Sequence, residues 1–195
     1  MISIPGIVVG PGGKALASID DEAMRPPTQI DVFVDYMCPY CRRFERDNGE
    51  AIQELVDHDV TALVMHPISI LDRLSHGALY STRAAAAAYA VAAGAPDKFG
   101  DFNTALFTHQ PAEGSQGLSE PELENLGHSI GIEPKVTRTF ADKQFLTMAT
   151  ANTQAAIDLG LQGTPTVLLG GHHQKTFQWD GTRPIAEALG SMAAR

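Results

Sequence analysis

Cysteine is nearly absent from this chain: two in 195 residues, at positions 38 and 41. Both belong to one four-residue motif, so no further pair is left to form a structural disulfide or to report an oxidising compartment. No second C-x-x-C and no spaced histidine pair accompanies them, so a zinc site would lack two of its ligands. Of seven histidines, only His172 and His173 are adjacent, and they read as exposed turn residues. Positive charge is also scarce. Fourteen Lys and Arg stand against 23 Asp and Glu, a net charge of −9 with a pI near 5.1. That balance, without any basic run, excludes nucleic acid and anionic membrane surfaces as expected partners. No stretch approaches the ~18 apolar residues of a membrane span. The first ten residues carry neither a charged leader nor an apolar run of signal-peptide length. The expectation is a cytoplasmic protein, or one whose export signal or anchor has been removed. Internal repeats and low-complexity linkers are missing as well.

What is present is ordinary globular material. Hydrophobic residues make up 44% and charged residues 19%, enough for one large domain or a domain with a sizeable insertion. The informative stretch is Cys38-Pro39-Tyr40-Cys41. It follows a strand-like run, Gln29–Val34, and precedes a helix-like run, Arg42–Arg46. Two thiols at a strand-to-helix junction can close and reopen a disulfide without moving the backbone. The first would sit at a helix N-terminus, where unpaired N–H groups and the helix dipole favour a thiolate. A structural disulfide rarely uses this spacing, because so short a loop removes little unfolded-state entropy. The pair reads as a redox centre.

Along the chain, Gly6–Gly10 and the turn Pro11–Lys14 predict a strand and a hairpin with Ala15–Ile19. Asp20–Thr28 is polar and contains Pro26-Pro27, an extended loop. The helix after the cysteines should reach Val56, with Gly49 as a weak point. Val60–Met65 is a second core strand that His66-Pro67 should stop. Beyond it the pattern is helical: Ser75–Ala93 with the run Ala84–Ala88, then Pro96–Thr108. Gln110–Gly117 is a loop, and Ser119-Glu120-Pro121-Glu122 is a capping box opening a helix towards Ile130. Pro134–Phe140 and Asp142–Leu159 follow as helices, the last ended by Gly160. Thr166–Leu169 is a strand, joined through Gly170-Gly171 to another near Lys175–Trp179, with a final helix from Asp180 or Thr182 to Ala193. This order predicts an α/β fold: a thioredoxin-like core, βαβ then ββα, with an inserted α-helical domain. The expected division is 1–71 and 151–195 for the two parts of the core and 72–150 for the insertion. Phe99, Phe102, Leu106 and Phe107 are expected in the core, Trp179 as packing, and His66 as a satisfied polar residue at a strand end facing the insertion.

With Asp35-Tyr36-Met37-Cys38-Pro39-Tyr40-Cys41, the helical insertion and Gly163-Thr164-Pro165-Thr166 together, the chain resembles the DsbA-like thiol–disulfide oxidoreductases over nearly its whole length. The resemblance implies that Pro165 is cis and lies against the active-site disulfide, with the Thr164 backbone pairing to an incoming peptide. Cys38 would be the exchanging thiol and Cys41 the resolving one, with Pro39 in the first helical turn and Tyr40 facing the substrate. Glu45 matches a family acid that assists proton transfer. Another acid often found six residues before the first cysteine is replaced by Val32, with Asp31 and Asp35 on either side. Pro-Tyr between the cysteines departs from the Pro-His of DsbA and matches glutaredoxins of intermediate potential. No metal or organic cofactor is implied. Expected partners are protein or peptide thiols and disulfides and a redox recycling partner, acting on a monomer outside the cytoplasmic membrane. The expected activity is disulfide exchange that oxidises cysteines of exported proteins. The alternatives are a cytoplasmic glutaredoxin-like reductase or isomerase, and a non-catalytic peptide-binding module, which would need neither both sulfurs nor the Thr-Pro loop.

Overall fold

The computed structural model describes residues 4–16, 28–169 and, for the backbone alone, 175–177. Six strands lie in one mixed sheet: β1 (Ile7–Val9), β2 (Ala15–Leu16), β3 (Thr28–Val34), β4 (Thr61–Pro67), β5 (Thr166–Leu169) and β6 (Lys175–Phe177). Their spatial order is β2-β1-β4-β3-β5-β6. Only β3 and β4 run parallel, with Ile30 opposite Leu63 and Val34 opposite Pro67. β5 returns antiparallel on the other side of β3. β3 is therefore central, and its apolar residues on both faces fit that position: Ile30, Val32 and Phe33 are all fully buried.

The parallel pair is connected by α1 (Pro39–Asp57), whose buried stripe is Cys41, Phe44, Asn48, Ile52 and Val56. That three-and-four spacing lays one face of the helix on the sheet. Gly49 does not interrupt it. A Cβ there would lie 3.2 Å from the Glu45 carboxyl, so the glycine makes room for that side chain one turn earlier.

Between β4 and β5 lie α2 (Tyr80–Gly94), α3 (Phe99–Thr108), α4 (Glu120–Ser129), α5 (Pro134–Thr137) and α6 (Lys143–Asp158). Ala84–Ala88 are all 0% exposed, which makes α2 the centre of the insertion, packed by α3, α5 and α6. The small alanine side chains permit this close approach from several sides. A single apolar cluster takes in Val32 and Met65 of the sheet, Phe44 of α1, and Ala87, Phe102, Phe107 and Leu123 of the insertion. The two layers thus share one core. The chain has the thioredoxin-like fold with a helical insertion that the sequence pattern predicted.

Three boundaries differ from the sequence reading. β4 runs through His66 and Pro67 because β3 continues alongside it and Val34 pairs with Pro67 at its end. His66 is therefore an internal strand residue, hydrogen-bonded to Asp31 at 2.9 Å and stacked on Phe33 at 4.3 Å. The helix expected from Ser75 begins at Tyr80. Asp72 accepts the Thr82 N–H, and His76 and Leu79 take left-handed φ values of 52° and 50°, which ends any helix upstream. The helix from Pro134 stops at Thr137. The capping box of Ser119 and Glu122 is present as expected. The expected loop before Thr28, the Gly170-Gly171 turn, His172 and His173, Trp179 and the final helix lie outside the described residues, wholly or in all but their last residue.

Candidate active site

The chain leaves β3 into a turn in which the Cys38 N–H donates to the Asp35 carbonyl at 2.9 Å. Cys38 is the N-cap residue of α1, with Pro39 in the first turn. Proline suits this place because its missing N–H would have no helical acceptor. Both thiols are free. Cys38 keeps 4% of its surface exposed and Cys41 none, while Tyr40 between them is 65% exposed. The Thr164–Pro165 bond is cis, and the Thr164 carbonyl accepts the Cys38 thiol at 3.3 Å. The fold thus brings Cys38, Cys41 and the Thr164-Pro165 loop together, although 126 residues separate Cys38 from Thr164.

The two sulfurs are electrostatically unequal. Hydrogen bonding from the Cys41 thiol draws Cys38 down from 9.0 to about 6, against the opposing effect of burial. The Thr164 hydroxyl and the N–H groups of Cys41 and Tyr40 act in the same downward direction. Burial pushes Cys41 well above its ordinary value, reinforced by its role as donor to Cys38 and by the charge of that sulfur. The Asp35 N–H, 3.5 Å from the Cys41 sulfur, offsets only part of this. As pH rises from 6 towards 9 the reduced pair therefore gathers its negative charge on Cys38 and keeps its proton on Cys41. Such a pair can supply a nucleophilic thiolate with a protonated thiol beside it.

Two carboxyl groups flank the pair, Asp35 buried and Glu45 half-buried. The Glu45 carboxylate accepts the Asn103 side-chain N–H at 2.9 Å, and Asn103 in turn accepts the Tyr36 hydroxyl at 3.0 Å. Burial raises Glu45 to about 7, with the Asn103 bond opposing. Its route to the active-site turn thus runs through Asn103 and Tyr36. It also lines a cavity of about 610 Å³ between α1, α3 and the sheet, together with Arg42 and Arg46.

Asp35, fully buried, accepts the N–H of Met37 and that of Leu71, both at 2.9 Å. Burial raises it to about 7 against the effect of these bonds. It fixes the turn before Cys38 and fastens it to the segment after β4. The sequence assigns Asp35 no role of its own: it opens the motif that carries the resemblance and neighbours the position of the missing acid. The available signal was an aspartate able to bond the N–H two residues on, an Asx turn. Asn103 and Gln110 were missed altogether. Gln110 donates to the carbonyls of Tyr36 at 3.1 Å and Cys38 at 2.9 Å. Neither residue carries a motif, since both reach the site from the insertion. Among the described residues no group of three or more His, Cys, Asp and Glu side chains is arranged to hold a metal.

The profile of the thioredoxin family matches residues 24–185. A segment of the serine/threonine-protein kinase PknE of Mycobacterium tuberculosis is 34% identical over 169 residues, 82% of this chain. The chain spans only 28% of that kinase's length. Disulfide bond formation protein D of Bacillus subtilis is 29% identical over 155 residues, covering 77% of this chain and 67% of that protein. The crystal structure of oxidised DsbA from Mycobacterium tuberculosis superposes with a TM-score of 0.77 and 27% identity, over 98% of this chain and 94% of that one. The chain belongs to the thioredoxin family, and within it to the DsbA-like thiol–disulfide oxidoreductases.

Proposed function

We propose that this chain exchanges disulfides with protein and peptide thiols through Cys38 and Cys41, oxidising cysteine pairs of exported proteins. The observation that carries this reading is the asymmetry of the two sulfurs: Cys38 lowered to about 6 beside the Thr164 carbonyl, and Cys41 fully buried and held protonated. In the oxidised enzyme a substrate thiolate attacks the Cys38 sulfur and Cys41 leaves. A second substrate thiolate then attacks the substrate sulfur of the mixed disulfide and releases Cys38 as a stabilised thiolate. Two electrons pass from substrate to enzyme, and a partner oxidase removes them in turn. Tyr40, Pro39, Thr164 and Pro165 form the surface met by the substrate, and Glu45 serves the proton balance of the pair. The protein works as a monomer without metal or organic cofactor, outside the cytoplasmic membrane, where the DsbA-like relatives support placing it. Among the described residues no helix is long and apolar enough to cross a membrane.

A reductase of glutaredoxin-like potential is the second reading, favoured by Pro39-Tyr40 and by a Cys38 thiol lowered only moderately. Oxidation of a reduced dithiol peptide by stoichiometric oxidised protein separates the two from each other and from a pure binder. The oxidase reading expects oxidation of the peptide that Cys38→Ser abolishes, and a mixed disulfide that Cys41→Ser traps when the peptide is offered in its disulfide form, where the Cys38 thiolate displaces one peptide thiolate. Peptide binding that survives Cys38→Ser, with no oxidation by the unaltered protein, would leave only the binding module.

A further inference from the structure

The α3 helix grips the active-site turn at three successive levels. Asn103 receives the Tyr36 hydroxyl, the Phe107 ring packs on the Tyr36 ring at 4.9 Å, and Gln110, just past the helix end, reaches the backbone. Its side-chain nitrogen sits between two carbonyls, those of Tyr36 and Cys38. Gln110 is itself held, since its own N–H donates to the Phe107 carbonyl at 3.3 Å.

The Cys38 carbonyl is crowded. It accepts the N–H of Cys41 at 3.0 Å and of Arg42 at 3.2 Å, the first bonds of α1, and the Gln110 amide as a third donor. A carbonyl offers two lone pairs, so three donors cannot all bond at full strength. The Cys41 N–H is also one of the groups that stabilises the Cys38 sulfur as a thiolate. One donor thus has two acceptors, and a third party occupies one of them.

We propose that Gln110 is a positioning residue of the exchange reaction: by loading the Cys38 carbonyl it releases the Cys41 N–H towards the Cys38 sulfur. The inference rests on Cys38 being the attacking thiol. The insertion then does more than cover the core. Through one amide it sets how much of the helix N-terminus is spent on the first-turn hydrogen bond and how much on the sulfur. The other groups facing that sulfur, the Cys41 thiol, the Tyr40 N–H, the Thr164 hydroxyl and carbonyl and the buried Asp35 carboxyl, come from α1, the loop before β5 and the turn after β3, and Gln110 bonds none of them.

The test is the pH profile of Cys38 alkylation by iodoacetamide in the reduced full chain, read by mass spectrometry. Gln110→Met keeps the side-chain shape and removes the donor, and Gln110→Lys restores a donor. Gln110→Met is expected to move the alkylation midpoint up by about one pH unit, so that the rate at pH 6 falls about five-fold through loss of thiolate. Gln110→Lys is expected to bring the midpoint back to the wild-type value or below. Thermal unfolding of each reduced variant is followed in parallel. A Gln110→Met protein that melts earlier with an unmoved midpoint would overturn the proposal and leave Gln110 a packing residue. An unaltered protein that itself titrates near 8.5 would overturn the attacking-thiol reading instead, so the two failures are distinct.

Discussion

The reduction potential of the Cys38–Cys41 pair can be worked from the thiolate. An oxidised pair has no thiol to ionise, so whatever stabilises the Cys38 thiolate stabilises the reduced form alone and makes the disulfide a stronger oxidant. Thioredoxin, with its thiol near ≈ 7 and potential ≈ −270 mV, and DsbA, near ≈ 3.5 and ≈ −120 mV, bracket the range. At pH 7, lowering the thiol from 7 to about 6 adds roughly 1 kcal/mol of thiolate stabilisation over thioredoxin, or about 20 mV. Raising it from 3.5 to about 6 forfeits roughly 3.4 kcal/mol relative to DsbA, or about 70 mV. The two routes give roughly −250 and −190 mV, and so bracket the expected potential between those values. Equilibration in glutathione buffers, quenched by alkylation and resolved by mass, measures it. The sign with pH also follows. Cys38 is depressed in the folded state, so its contribution to the stability of the reduced form is complete above 9.0 and disappears as pH falls through about 6. The melting temperature of the reduced protein should therefore fall relative to the oxidised one as pH drops from 9 to 5. A potential near −120 mV, or a gap between the two forms that does not respond to pH, would refute this account of the site.

Two further outcomes test its surroundings. Glu45, raised from 4.5 to about 7 by burial, holds folding stability that is complete below 4.5 and lost as pH rises towards 7, the reverse of Cys38. Glu45→Gln, which keeps the acceptor for Asn103, should raise thermal stability at pH 8 by on the order of 1–2 kcal/mol, reduced by solvent in the adjoining cavity, and leave it unchanged at pH 4; an equal effect at both pH values would count against a desolvated carboxylate at this half-buried position. Gly117 has φ +71°, and a Cβ there would overlap the Tyr80 ring. Gly117→Ala should cost about 3 kcal/mol or more, or roughly 10 °C in melting temperature, by backbone strain and overpacking; a change under about 1 °C would show that the ring moves aside freely.

The central strand and the helix after it were legible because their signals are local. An apolar run between turn residues marks β3, and proline one residue after a thiol marks the start of α1. The Thr164-Pro165 loop was legible only in combination with Cys38 and Cys41, by resemblance. The start of α2 was not. Ser75–Leu79 carries no glycine or proline except Gly77, and the helix is displaced by Asp72 reaching forward to Thr82 and by Arg83 reaching back to the Ala78 carbonyl at 2.9 Å. Nor was the end of β4, since only pairing with Val34 carries the strand through Pro67. Within the site, the sulfurs announce themselves by spacing. The groups that orient them, Asp35, Asn103 and Gln110, are common polar residues whose meaning depends on what the fold places opposite. His66 likewise reads as a strand-ending polar residue until β3 puts Asp31 beside it.

The difference in shelter between the sulfurs also bears on chemical wear. A peroxide that enters the site meets Cys38, the less deeply covered of the two buried thiols and the one with thiolate character, and converts it to a sulfenic acid. The Cys41 thiol, shut away from the same oxidant, lies within hydrogen-bonding reach of that sulfur. It condenses with the sulfenic acid, expels water and leaves the Cys38–Cys41 disulfide. An encounter that would carry a solitary cysteine on to sulfinic and sulfonic acid thereby ends at the Cys38–Cys41 disulfide, which a thiol can reopen.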